Sequence, residues 1–277
     1  KMIWFSCTKS KFTQLAQEGH RTLKRSLFGN TVLYGHNSVN LQNKNRIFKT
    51  RFLTEANNRT YTIMENYLKD TYFLDFNNEA YDSFLEGVKL DEDPSIRAVQ
   101  LYKKVRDHFL YDPYHLNLTR EGLRTSQLLH KKRAWCVEKA AILAALARKC
   151  GIPSRLGYAV VTNHIGVEKL VEYLRREEIV FHGYTEMYLN GQWIKCTPAF
   201  DQRICRISKV EPLDWDGKSD SLFQEYTSGK RFMEYLHFYG VFADIPLELM
   251  NMEMQRYYPH LFQGEWKSKE FSFIPMD

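Results

Sequence analysis

No stretch of this 277-residue chain approaches the roughly 18 consecutive apolar residues that a membrane-spanning helix needs, so no membrane partner is expected. The chain as given also lacks a basic-then-apolar start ending in small residues, and a cytoplasmic protein is the expectation. Cysteine is scarce and scattered. Cys7, Cys136, Cys150, Cys196 and Cys205 include no CxxC pair, which argues against a zinc knuckle or a disulfide framework and favours reduced thiols. His130, His164, His237 and His260 show no metal-ligand spacing and no glycine-rich phosphate loop is present, so neither a metal nor another cofactor is expected.

Acidic residues are nearly missing from residues 1–63, where eleven Lys or Arg face only Glu18 and Glu55. The net charge of +6 therefore belongs to this segment, and the rest of the chain is slightly acidic. Residues 1–63 also lack helical or strand periodicity and are rich in Asn, Thr and Ser, which predicts poor order. An organelle transit peptide, a basic tail for anionic surfaces and an upstream reading-frame extension all fit such a composition, and the last is preferred because composition changes abruptly at Met64. Nucleic-acid binding, if any, is expected of these residues and not of the core.

Residues 64–277, in a chain 44% hydrophobic and 14% aromatic, read as one domain able to bury a sizeable core. Ile96, Val99, Tyr102, Val105 and Phe109 recur at spacings of three and four after Asp93-Pro94-Ser95, predicting a helix over about 95–110. A turn at Tyr111-Asp112-Pro113-Tyr114 and a short helix near Ser126–His130 follow. Lys131-Lys132-Arg133 could lower the pKa of a neighbouring thiol or could simply be a solvated loop. Next comes an alanine-rich helix over about 136–149, apolar on nearly all sides and ended by Gly151. Its first residue is Cys136.

After a strand over 155–161 and a polar insertion over 162–178, two strand-like runs, 179–189 and 192–196, flank Asn190-Gly191. That dipeptide specifies a two-residue type I′ hairpin, and opposed residues should pair Tyr188 with Trp193, Glu186 with Lys195, Tyr184 with Thr197 and His182 with Ala199. The diagonal neighbours of His182 are then Thr197 and Asp201. Either could orient the imidazole, although only a carboxylate would also stabilise its cation, and Pro198 interrupts the ladder between them.

A thiol at a helix start beside an imidazole is a nucleophile–base pair, because helix amides and an imidazolium both favour the thiolate. Trp135-Cys136, Gly151-Ile152-Pro153-Ser154-Arg155, the run His182 to Trp193 with its Glu186, Tyr188 and Leu189, and Thr197-Pro198-Ala199 together resemble the transglutaminase-like superfamily of papain-fold cysteine enzymes. The resemblance spans about 134–201 and, through Tyr111-Asp112-Pro113-Tyr114, reaches back to roughly residue 90. It implies an α+β fold in which a buried helix carrying the cysteine packs on an antiparallel sheet carrying the histidine. It also implies Cys136 as nucleophile and His182 as base, and it places the family's usual triad aspartate on Thr197. Trp135 and Tyr184 are candidate oxyanion or supporting groups, and Glu186 matches a structural position that could pin Arg155.

The activity so implied is acyl transfer from a peptide or protein amide, or from a glutamine side chain, through a thioester on Cys136. The alternative is a scaffold or binding protein that has lost its catalytic carboxylate. Beyond residue 201, Phe232, Tyr235, Phe238 and Tyr239 sit at helical spacings and predict an aromatic-rich helical extension. Oligomeric state is not legible.

Overall fold

The computed structural model describes residues 64–163, 168–222, 233–262 and 270–272, all within one unit spanning Asn57–Asp277. The expectations for residues 1–63 lie outside the described residues. Along the chain come α1 (Glu79–Leu85), α2 (Pro94–His108), β1 (Leu110–Tyr111), β2 (His115–Asn117), α3 (Thr125–Leu128), β3 (Arg133–Ala134) and α4 (Cys136–Lys149). These are followed by β4 (Ser154–Asn163), α5 (Glu168–Leu174), β5 (Glu178–Leu189), β6 (Gln192–Cys196), α6 (Gln202–Ser208), β7 (Met233–Phe242) and α7 (Leu247–Tyr257). A 3₁₀ turn, Pro259–Phe262, and β8 (Glu270–Ser272) come last.

The helices begin and end for local reasons. Asp93 accepts from the amides of Ser95 and Ile96 at 2.7 and 3.2 Å, and Pro94 stands at the first helical position, where a missing N–H does no harm. At the other end of α4, Gly151 adopts φ 75° while Ile152 N–H reaches back to Ala147 O, a left-handed stop that a side chain would disfavour. Helix α4 is buried from Cys136 to Arg148, and its alanines let the sheet approach so closely that Thr185 Oγ1 donates to Ala140 O at 2.9 Å.

The sheet that receives α4 is antiparallel throughout, in the order β6-β5-β4-β7. In the hairpin, Glu186 pairs with Lys195, Tyr188 with Trp193 and Leu189 with Gln192, and the ladder stops at Thr185 with Cys196. The expected pairs Tyr184–Thr197 and His182–Ala199 do not form. Thr197 N–H instead donates to Ser221 O at 3.2 Å, because Pro198 has no amide with which to continue the ladder.

Two further expectations are corrected. The insertion over 162–178 begins as the end of β4 and contains α5. The stretch holding Tyr235, Phe238 and Tyr239 is strand β7, with helix α7 only after it. Against β4, β7 shifts register twice, between Tyr158 and Ala159 and between Val160 and Val161, and each extra residue spreads its aromatics to spacings that imitate a helix.

Candidate active site

Cys136 stands at the head of α4, where amide groups have no intrahelical acceptor. Trp135, the N-cap residue, offers a side chain that can only donate, so it cannot cap these amides. The backbone N–H groups of Gly183, Val137 and Cys136 itself pull the thiol pKa down. Gly183 must be glycine here, since a Cβ would lie 2.9 Å from Val137 Cα and 3.2 Å from Cys136 O. This close approach sets the residue after His182 directly on the start of α4.

His182 is aimed by an irregular strand. Between the pairs Ala159–His182 and Val161–Ile179, β5 carries one residue more than β4, and Phe181 in that bulge has φ 61°. A left-handed aromatic residue costs on the order of 1–3 kcal/mol and persists only where its surroundings enforce it. Bulges re-aim side chains, and this one sits immediately before the imidazole. Thr197 Oγ1 lies 3.4 Å from His182 Nε2 and 3.5 Å from Gly183 O. A hydroxyl donating to Gly183 O can only accept from the ring, which puts the ring proton on Nε2 and leaves Nδ1 basic. Both contacts are long, so the grip is weak.

Tyr235 connects the two groups. Its ring meets His182 edge-on at 5.8 Å, and its phenol is raised above the usual range by burial and then by the nearby Cys136 sulfur. Tyr111 and Tyr158 are raised in the same way, burial first, with the Cys136 sulfur among the further causes. The hydroxyl of Tyr158 and the indole N–H of Trp135 are buried without a hydrogen-bond partner among the described residues.

Burial decides the charge state. It pushes the Cys136 thiol up to about 11 against the opposing amides, and it pulls His182 down to about 4. At neutral pH the pair rests as thiol and neutral imidazole. Against the thiolate expected from the helix start, the amides lower the thiol less than the loss of water raises it. The cationic run does not reach the sulfur either. Lys131 pairs with buried Glu138 at 2.6 Å, and Arg133 lies 3.7 Å from Asp112.

Asp201, the other orienting candidate, is not at the ring. Its Oδ1 caps α6 through the amides of Arg203 and Ile204, and its Oδ2 accepts from Tyr111 N–H at 2.6 Å. Glu186 binds Arg155 through Nε at 2.7 Å, and that guanidinium lies 4.0 Å over Trp193. Tyr184 covers the place where a Cβ on Gly157 would be and packs towards Tyr235 and Phe238.

Lys139 escaped the sequence reading, although a lysine on a helix otherwise buried on every side was its signal. Its Nζ donates to Arg106 O, Phe109 O and Ala199 O at 2.8, 2.9 and 2.8 Å. Burial lowers it to about 7 against the attraction of Asp201. The three tyrosines around the sulfur were also missed, since they converge from β4, β7 and the chain after α2. Among the described residues no group of three or more His, Cys, Asp or Glu is arranged to hold a metal ion, and no helix is long and apolar enough to cross a membrane.

The profile of the Transglutaminase-like superfamily matches residues 82–198. A crystal structure of a candidate cysteine protease from Cytophaga hutchinsonii is similar at 19% identity and a TM-score of 0.35, over 48% of this chain and 40% of that one. The chain thus spans less than half the length of that protein. Among curated proteins nothing matches.

Proposed function

We propose, from the match of residues 82–198 to the profile of the Transglutaminase-like superfamily, that this protein is a thiol acyl-transfer enzyme acting on amide bonds. Cys136 is the nucleophile, His182 the base, and Thr197 the residue that orients the base. The observation that carries the reading is the Gly183 peptide, which lies against the head of the helix that bears Cys136 while its carbonyl faces the Thr197 hydroxyl beside His182.

The neutral resting pair sets the order of proton movement. As the sulfur attacks the carbonyl carbon, the thiol proton passes to Nδ1 of His182 and the carbonyl opens to an oxyanion. The Trp135 indole, buried at the head of α4 without a partner among the described residues, would donate to the new negative charge. The C–N bond then breaks, the amine leaves with the proton from the imidazolium, and a thioester remains on Cys136. Water yields a peptidase or amidase; an amine yields a transamidase. A threonine hydroxyl sets the tautomer but adds no charge to stabilise the imidazolium, so slow turnover is expected relative to a carboxylate triad.

The test is capture of the thioester. Incubation with an activated acyl donor should add the acyl mass to Cys136, and Cys136→Ala should abolish it while His182→Gln slows it at least a hundredfold. Thr197 in the aspartate position also favours a scaffold reading. Acylation spread evenly over Cys136, Cys150 and Cys205 would establish the scaffold and reject the enzyme.

A further inference from the structure

The wall of an apolar cavity of about 40 Å³ includes Cys136 itself. Several elements contribute, among them Leu116 from β2, Leu170 from α5, Met254 from α7 and Leu261 from the 3₁₀ turn, with Trp135 and Cys136 at the head of α4. None of the described lining residues is charged. One polar group at its edge, Tyr258 OH, is already satisfied, accepting from Val180 N–H and donating to Glu178 O, each at 2.8 Å. Trp135 differs: its buried indole N–H has no partner among the described residues.

We propose that this pocket receives an uncharged aliphatic side chain on the acyl side of the bond that Cys136 attacks, making amides that follow a branched aliphatic residue the preferred substrate class. This rests on the acyl-transfer reading above. A pocket walled by the nucleophile holds the part of the substrate that stays attached to it. A glutamine side chain there would bury two amide donors with no acceptor, and a carboxylate would bury a charge with no counter-ion. A hydrocarbon loses nothing of this kind and gains about fourfold in rate or affinity for each methylene it buries. The orphaned indole N–H provides for one acceptor, the carbonyl oxygen adjoining the side chain.

Phenyl thioesters of acetate, isovalerate and glutaramate test this with the full chain. In each, the Cys136 sulfur–acyl bond forms, the acyl–thiophenol bond breaks, and the thiol proton leaves through His182 to the thiophenolate. Peptide mapping should show isovaleryl acylation of Cys136 at least tenfold faster than acetyl, and glutaramyl at least tenfold slower than isovaleryl. Leu170→Trp and Leu261→Trp fill the pocket from opposite walls, and in either variant shown folded by its unfolding midpoint the isovaleryl-to-acetyl ratio should fall towards one. An acetyl-labelled Cys136 with a wild-type ratio near one, or a ratio that survives in both folded variants, overturns the pocket and leaves acyl transfer standing. If no donor acylates Cys136, both readings fail.

Discussion

Raising the pH should accelerate alkylation of Cys136 steadily up to strongly alkaline conditions. With the thiol at about 11, its thiolate fraction at pH 7 is about 10⁻⁴, against about 3% for an exposed thiol of pKa ~8.5. A thiolate of higher pKa is intrinsically more nucleophilic by about tenfold over this interval, with a Brønsted slope of about 0.45. The net expectation is a rate about 30-fold below that of glutathione at pH 7, before any steric slowing of a sulfur in a residue 2% exposed. Slope is the more diagnostic quantity, because access scales the rate without bending the profile. The logarithm of the iodoacetamide rate, followed on the tryptic peptide Ala134–Lys139 by mass spectrometry, should rise by about one per pH unit from 6 to 10. A resting thiolate–imidazolium pair gives instead a plateau that begins below pH 7. A flat rate between pH 6 and 9 would refute the argument that lost solvation outweighs the helix-head amides.

The remaining predictions concern the same few groups. Gly183→Ala sets a methyl 2.9 Å from Val137 Cα, which should cost about 1–3 kcal/mol by overpacking, read as a lowered denaturation midpoint together with a changed Cys136 alkylation rate. Thr197→Asp places a carboxylate at Nε2 and should move the imidazole's titration inflection, followed by NMR, up by about 1–3 pH units; an unmoved inflection would show that residue 197 does not govern the ring. Asp201→Asn should leave that inflection where it is while lowering stability by about 1 kcal/mol through the α6 cap and the Tyr111 amide, both measurable in one denaturant series. His182 falls to about 4 when folded from ~6.5 unfolded, so between those values the unfolded chain binds more protons and stability is lost as pH falls. Wild type should therefore lose about 3 kcal/mol relative to His182→Gln between pH 6.5 and 4, and equal losses in both proteins would place the histidine in water.

Helix α4 and the hairpin were legible because their signals are local. An apolar run closed by Gly151 and the Asn190-Gly191 turn each determine geometry within a few residues, and the register of Glu186 with Lys195 follows from the turn alone. Thr197, named from the extrapolated register, does lie 3.4 Å from His182 Nε2, although the ladder itself ends at Cys196. Asp201 was not, because Pro198 ends the ladder and hands the next residues to α6, whose cap needs a carboxylate there. The β7 strand read as a helix because two register shifts disguise its alternation. Least legible was the charge state of Cys136 and His182. It depends on burial by Tyr111, Tyr158 and Tyr235, whose convergence is a property of the packed molecule and leaves no spacing in the chain.

Lys139 has a mechanical consequence. One ammonium clasps carbonyls from the end of α2, from Phe109 and from Ala199, two residues beyond Thr197, so the rod bearing the sulfur and the segment bearing the hydroxyl are riveted together. A ligand that wedges Thr197 away from the imidazole must either drag that rod with it or strip three acceptors from a buried cation. The entrance is therefore expected to yield along the opposite wall, where α5, α7 and the 3₁₀ turn meet the sulfur through hydrocarbon alone.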